Sequence, residues 1–193
     1  MLKKRNFCAR IYRLKRSAPL FLVKNAYRLS VAEKGDNELK KIHVVLYEPE
    51  IPQNTGNISR TCAVTGAALH IIRPTGFEIS DKTLKRAGLD YWDKLDVFYY
   101  DSYAEFCEKN PSENKFFFSA HADKFYSSAE FPDECYLIFG KETAGLPREL
   151  IAENPERSLR MPMRKTLRCL NLSNAVAIAV YEALRQGGFD GLE

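Results

Sequence analysis

The chain predicts an α/β fold, a mostly parallel sheet with helices on both faces. Short β-rich apolar runs alternate with segments of helical period from residue 42 to residue 186. The runs at 116–119 and 135–139 are almost continuously apolar, as strands buried on both faces require. No internal repeat and no linker interrupts 42–186, so one domain is expected there.

Residues 42–47 form the first β-rich run. Residues 54–65 follow with helical spacing in Ile58, Cys62 and Thr65. Asn54 or Thr55 is the expected N-cap, and Gly66 stands where a helix stops. A second strand at 69–72 ends in the turn 74–76. Residues 80–94 read as a helix capped by Ser80, and 97–100 as a strand. Ser102-Tyr103-Ala104-Glu105 has the spacing of a capping box and opens a short helix. After the strands at 116–119 and 135–139 come a helix at 147–153 with Pro147 in its first position, and a short strand at 159–161. The last helix is 172–186. Its Ala175, Ala177, Ala179 and Ala183 make one side thin, suited either to packing within the chain or to a partner helix.

Composition excludes several classes of function. Of 193 residues, 45% are hydrophobic and 28% charged, which is ordinary for a globular domain. The longest apolar stretch, 172–184, is broken by Ser173, Asn174, Tyr181 and Glu182, so no segment spans a membrane. The five cysteines are scattered without a C-x-x-C pair, as reduced thiols of a cytoplasmic protein would be. His43, His70 and His121 are isolated, and no metal site is expected.

Charge is uneven. Nine of the 29 Lys/Arg residues fall in 1–32, which holds no Asp or Glu; the remaining 20 face all 25 acidic residues, a net of −5. The basic balance therefore belongs to the amino-terminal arm. Residues 1–41 read as an extension without a packed fold, and 42–193 as the domain. The arm suits RNA binding, targeting, or translation from upstream of the true start, and the last is preferred because periodicity begins only at Ile42.

Three segments are unusual for structure alone, and each follows a strand, where open α/β sheets bind ligands. The first, 48-EPEIPQNTGNISR-60, doubles Asn54 and Asn57 and places Arg60 near the start of a helix, facing the same crevice as the other two. A well-capped loop would explain the remainder. The second, 139-FGKETAGLP-147, ends a strand in Gly140 and follows it with Glu142. Its exposed backbone suits a flat, adenine-like group, although a tight glycine turn would read the same. The third, 160-RMPMRKTLRCLNLSNA-175, sets Arg160, Arg164, Lys165 and Arg168 before Asn171, Ser173 and Asn174 at the mouth of the last helix. Free N–H groups there favour an anionic or strongly hydrogen-bonding partner.

Together, N-x-G-N-I-x-R at 54–60, F-G-x-E-x-x-G-L-P at 139–147 and R-x-L-N-L-S-N-A at 168–175 resemble the three motifs of SPOUT-class RNA 2′-O-methyltransferases. The flanks are similar to those of the small TrmL/YibK-type subfamily, over roughly 42–186. That resemblance implies a SPOUT fold with a deep trefoil knot in its carboxyl-terminal part, bound S-adenosylmethionine, and a homodimer whose active site uses both chains. It implies methylation of the ribose of the wobble nucleotide, cytidine or a modified uridine, in the anticodon stem-loop of tRNA. The implied cofactor positions are Phe118 or its neighbour Ser119, then Gly140, Glu142, Met161 and Cys169. Cys169 stands where many relatives carry serine, and Met161 where a β-branched residue is common. Arg60, Asn171 and Ser173 are the implied catalytic positions. A guanidinium holds its proton too tightly to be a general base, so Arg60 is expected to hold phosphate or a developing oxyanion, and the base is left unassigned. Glu142 is expected to brace the loop or touch the cofactor. A catalytically silent RNA-binding relative, or a nucleotide-binding regulatory protein, would share the sheet; the former would also share the motifs.

Overall fold

A computed structural model of the chain describes residues 40–78, 95–164, 166 and 169–193. The expected helix at 80–94, the arm to residue 39, and Lys165 and Arg168 lie outside these residues.

Seven strands form one sheet: β1 Lys41–Tyr47, β2 Ala68–Ile72, β3 Val97–Tyr100, β4 Lys115–Phe118, β5 Lys124–Phe125, β6 Glu134–Phe139 and β7 Ser158–Arg160. Their order is β3-β2-β1-β6-β4-β7-β5, and every pairing is parallel. The described helices are α1 Pro52–Thr65, α2 Tyr103–Lys109, α3 Arg148–Glu153 and α4 Leu172–Gln186. Alternation along the strands divides the interior. Val44 and Leu46 of β1, Leu137 and Phe139 of β6, and Phe118 of β4 pack under Ile58 and Cys62 of α1 and Val176, Ala179 and Ala183 of α4. Val45, Phe117 and Ile138 face the other way, toward Phe106 of α2 and Leu150 of α3. Both faces are covered, as the apolar runs require.

Several local expectations shift when the chain folds. The first helix begins at Pro52, with Ile51 as the N-cap residue, so neither Asn54 nor Thr55 caps it. Proline brings its own helical φ to the first position and surrenders no N–H that the helix needed. At the other helix the same residue behaves differently. Pro147 has φ −51° but an extended ψ of 137°, so it precedes α3 instead of starting it. Strand β7 lies one residue earlier than expected, and the two-residue edge strand β5 was not legible at all. Gly66 closes α1 in the left-handed region at φ 71°, and Ser102 accepts the N–H of Glu105 at the start of α2. The thin alanine side of α4 serves the chain's own core, since Ala179 and Ala183 are fully buried against it. No helix among the described residues is long and apolar enough to cross a membrane.

Candidate functional site

The strand order reverses between β1 and β6, because β2 and β3 extend the sheet one way and β4, β7 and β5 the other. Crevices at such a switch point open beyond the carboxyl ends of the strands. Here a cavity of about 440 Å³ opens there, floored by Phe118, Phe139 and Leu159 at the ends of β4, β6 and β7. Its walls are the loop 140–145 on one side and the return from β7 to α4 on the other.

Six of the sequence-predicted positions and one of the predicted catalytic residues meet on this cavity: Phe118, Ser119, Gly140, Glu142, Met161, Cys169 and Asn171. Phe118 stacks on Phe139 at a centroid distance of 4.6 Å, giving a flat apolar floor. At Gly140 a Cβ would lie 2.0 Å from the carbonyl carbon of Gly145 and 2.2 Å from the Leu146 nitrogen. The loop folds back onto its own start through Gly145 N–H to Lys141 C=O at 2.8 Å, with Gly145 at φ 70°. Only glycine fits at 140, because any side chain would push the cavity wall open.

Glu142 lines the cavity, but its carboxylate is committed to the other side of the loop. It accepts the N–H groups of Glu50 at 2.8 Å and Ile51 at 3.3 Å, and the Asn54 amide at 2.9 Å. A carboxylate placed at a helix start is favoured by the unsatisfied N–H groups there. This is the bracing role: it ties down the two residues that lead into α1 and the first inward side chain of the helix. Asn54 passes the connection on: its Oδ1 accepts from Asn171 Nδ2 at 2.9 Å. Asn171 is the N-cap of α4, and its Oδ1 accepts the Ser173 N–H at 2.9 Å and hydroxyl at 2.6 Å. Ser173 is buried and orders Asn171 without lining the cavity. Asn54, expected as a cap, is instead the link between the two motifs. Ile51, Met163 and Leu170 also line the cavity, and no sequence signal marked them.

Arg60 stands apart. It lies more than two turns into α1, on an exposed stripe with Gln53 and Asn57, and does not line the cavity of its own chain. The expectation that it faces the strand-end crevice fails, because Asn54 takes the inward position and six residues of helix turn Arg60 by about 240° from it. Arg160, part of the basic stretch, lays its guanidinium 4.6 Å over the Phe125 ring.

Residues 41–181 match the model of the SpoU rRNA Methylase family. A Geobacillus stearothermophilus protein is 54% identical over 154 residues, spanning 78% of this chain and 98% of that protein. The Escherichia coli K12 tRNA (cytidine(34)-2'-O)-methyltransferase is 46% identical over 151 residues, 78% of this chain and 96% of that protein. A solved structure concerned with 2-OH methylation of C/U34 on tRNA is similar at a TM-score of 0.72 and 49% identity, over 76% of this chain and 96% of that one. A SpoU methyltransferase from Streptomyces viridochromogenes shares the fold at a TM-score of 0.68, with 23% identity over 80% of this chain and 60% of that one.

Proposed function

The chain belongs to the SpoU rRNA Methylase family, and we propose that it methylates the ribose 2′-hydroxyl of the wobble nucleotide of tRNA, cytidine or a modified uridine, using S-adenosylmethionine. The observation that carries this reading is the cavity at the switch point, where the three motif segments converge through Glu142, Asn54 and Asn171. It is supported by the Escherichia coli relative named for this activity.

The residues present suit the cofactor. The cavity volume lies within the ~300–1,000 Å³ usual for small-molecule sites. Phe118, Phe139 and Met161 offer apolar surface to an adenine, and the glycine-bounded loop offers main-chain donors and acceptors. Cys169 on the rim offers a thiol, a weaker hydrogen-bond donor than a hydroxyl. Bound there, S-adenosylmethionine would supply a methyl group already activated by its sulfonium. The protein's task is then to hold the ribose oxygen in line, a matter of orientation. Asn171, fixed by Asn54 and Ser173, orders the loop beside the cavity. Arg60 holds phosphate or steadies charge developing on the 2′-oxygen.

Since Arg60 lies off its own chain's cavity, we place it at the cavity of a second copy, in a homodimer. Exposed Val64 on α1 and Ile178 and Tyr181 on α4 give that assembly an apolar face. The carboxyl-terminal segment through β7 and α4 is assigned the deep trefoil knot of the SPOUT fold. Free thiols at Cys62 and Cys135, pushed up to about 12 by burial, suit the cytoplasm. Mass spectrometry of nucleosides from tRNA incubated with protein and S-adenosylmethionine tests the reading. A 2′-O-methylated wobble nucleotide is expected; unmodified tRNA at stoichiometric protein overturns it.

A further inference from the structure

Glu142 is only half of the connection between the loop 140–145 and the loop 48–51. The second half runs in the opposite direction. The Glu50 carboxylate accepts the Thr143 N–H at 3.1 Å and its hydroxyl at 2.7 Å. Glu48 accepts the Lys141 ammonium at 2.6 Å, a contact that raises the lysine's pKa. Carboxylates thus point both ways across the gap, and each loop fixes the other.

The 48–51 loop is held from behind as well. Gly76 donates its N–H to Pro49 C=O at 2.9 Å, and a Cβ on Gly76 would stand 2.8 Å from the Glu50 Cα. Glu48 itself sits at φ 50°, a left-handed conformation that a side-chain-bearing residue keeps only when its surroundings impose it. One residue past this clamped loop and its N-cap, α1 begins and carries Gln53, Asn57 and Arg60 on its exposed stripe. On the far side, Lys141 and Thr143 are part of the cavity wall. One short rigid segment therefore joins the wall of the cavity to the root of the helix that bears Arg60.

We propose that Glu48 and Glu50, with Lys141 and Thr143, are positioning residues that couple the cavity to α1, so that a filled cavity fixes the helix and tightens tRNA binding. This rests on the methyltransferase reading above. A ligand that orders the loop 140–145 narrows the directions α1 can take, and tRNA then meets Arg60 already aimed. By linkage, tRNA must tighten the cofactor by the same factor. Glu50 is the more informative of the two carboxylates, because it reaches Thr143 from outside the cavity.

The test uses full-length protein, S-adenosylhomocysteine as an unreactive occupant, and tRNA binding followed by fluorescence anisotropy. In the unmodified protein the occupant should tighten tRNA by roughly 5–150-fold, the usual range for coupled sites. Glu50→Ala should bring that factor close to one, while S-adenosylhomocysteine affinity without tRNA changes less than about threefold; Glu50→Gln, which keeps an acceptor at the same reach, should restore most of it. Lys141→Met gives an independent loss of coupling if Glu50→Ala does not fold. An undiminished factor in the folded variants, or a factor of one in the unmodified protein, overturns the proposal. Failure of S-adenosylhomocysteine to bind the unmodified protein at all, by calorimetry, overturns the methyltransferase reading, and the coupling falls with it.

Discussion

Asn54 and Arg60 sit six residues apart on one helix and have opposite surroundings. Asn54 is buried and joins Glu142 to Asn171, whereas Arg60 is exposed on the outer stripe. Six residues on a helix turn the side chain by about 240°, so the two cannot serve one crevice within a single chain. The distinction separates a residue that builds the site from one proposed to act on the substrate. Arg60→Ala should lower methyl transfer by roughly a hundredfold or more, the scale for losing one donor to a developing oxyanion. Its melting temperature and its affinity for S-adenosylhomocysteine should not move. Arg60→Lys keeps the charge but loses the fork geometry, and should recover only part of the activity. Near-normal turnover of Arg60→Ala at saturating tRNA would remove the residue from the reaction.

Among the elements, the sheet carries a second polar system on the face that packs on Phe106 of α2, outside the cavity lining. Tyr136 donates to Asn110 at 3.3 Å and Asn110 to the Tyr100 hydroxyl at 3.1 Å. Tyr100 lies 2.8 Å from His70 Nδ1, and His70 Nε2 lies 2.9 Å from His43 Nδ1. Glu134 Oε1 is 3.4 Å from the remaining His43 nitrogen, close enough to attract without forming a hydrogen bond. With Tyr100 donating to His70 and His70 to His43, both histidines are neutral with hydrogen on Nε2, and His43 turns its own N–H toward Glu134. Burial holds both below their ordinary value, His70 at about 3. The unfolded chain therefore takes up protons below pH ~6.5 that the folded chain refuses. Stability should be full above that pH and fall as the pH drops toward 3, by at most about 1.4 kcal/mol per pH unit for each histidine. Urea denaturation between pH 7 and pH 5 measures it. His70→Asn should flatten the profile whatever its effect at pH 7, and an equally steep profile would show that His70 does not carry the acid sensitivity.

For the whole molecule, Arg60 lies off the cavity of its own chain, and the homodimer proposed above would make assembly part of the chemistry. Sedimentation at micromolar concentration should show a dimer, and substitution of Ile178 and Tyr181 by Ser should give monomers that fold but do not methylate tRNA. A folded, active monomer would mean that Arg60 reaches its substrate some other way. Much of this architecture was legible in the sequence. The last helix falls at 172–186 as read, β3 at 97–100, and the Ser102 cap and Gly66 stop where their residue types placed them. Those features depend on period, φ preference and hydrogen bonds spanning three or four residues, all written locally in the chain. The segments that line the cavity were legible too, because their residue pattern matches a family. What the sequence could not decide was which atoms meet. Glu142 finds Glu50 and Asn54 across 92 and 88 residues, and Asn171 finds Asn54 across 117. Such pairings depend on the path of the backbone, and a carboxylate has no local signal that tells a cofactor contact from a helix start. The tertiary structure alone turned Asn54 inward and Arg60 outward, since the face of α1 that packs on the sheet and α4 is chosen by contacts distant in the chain.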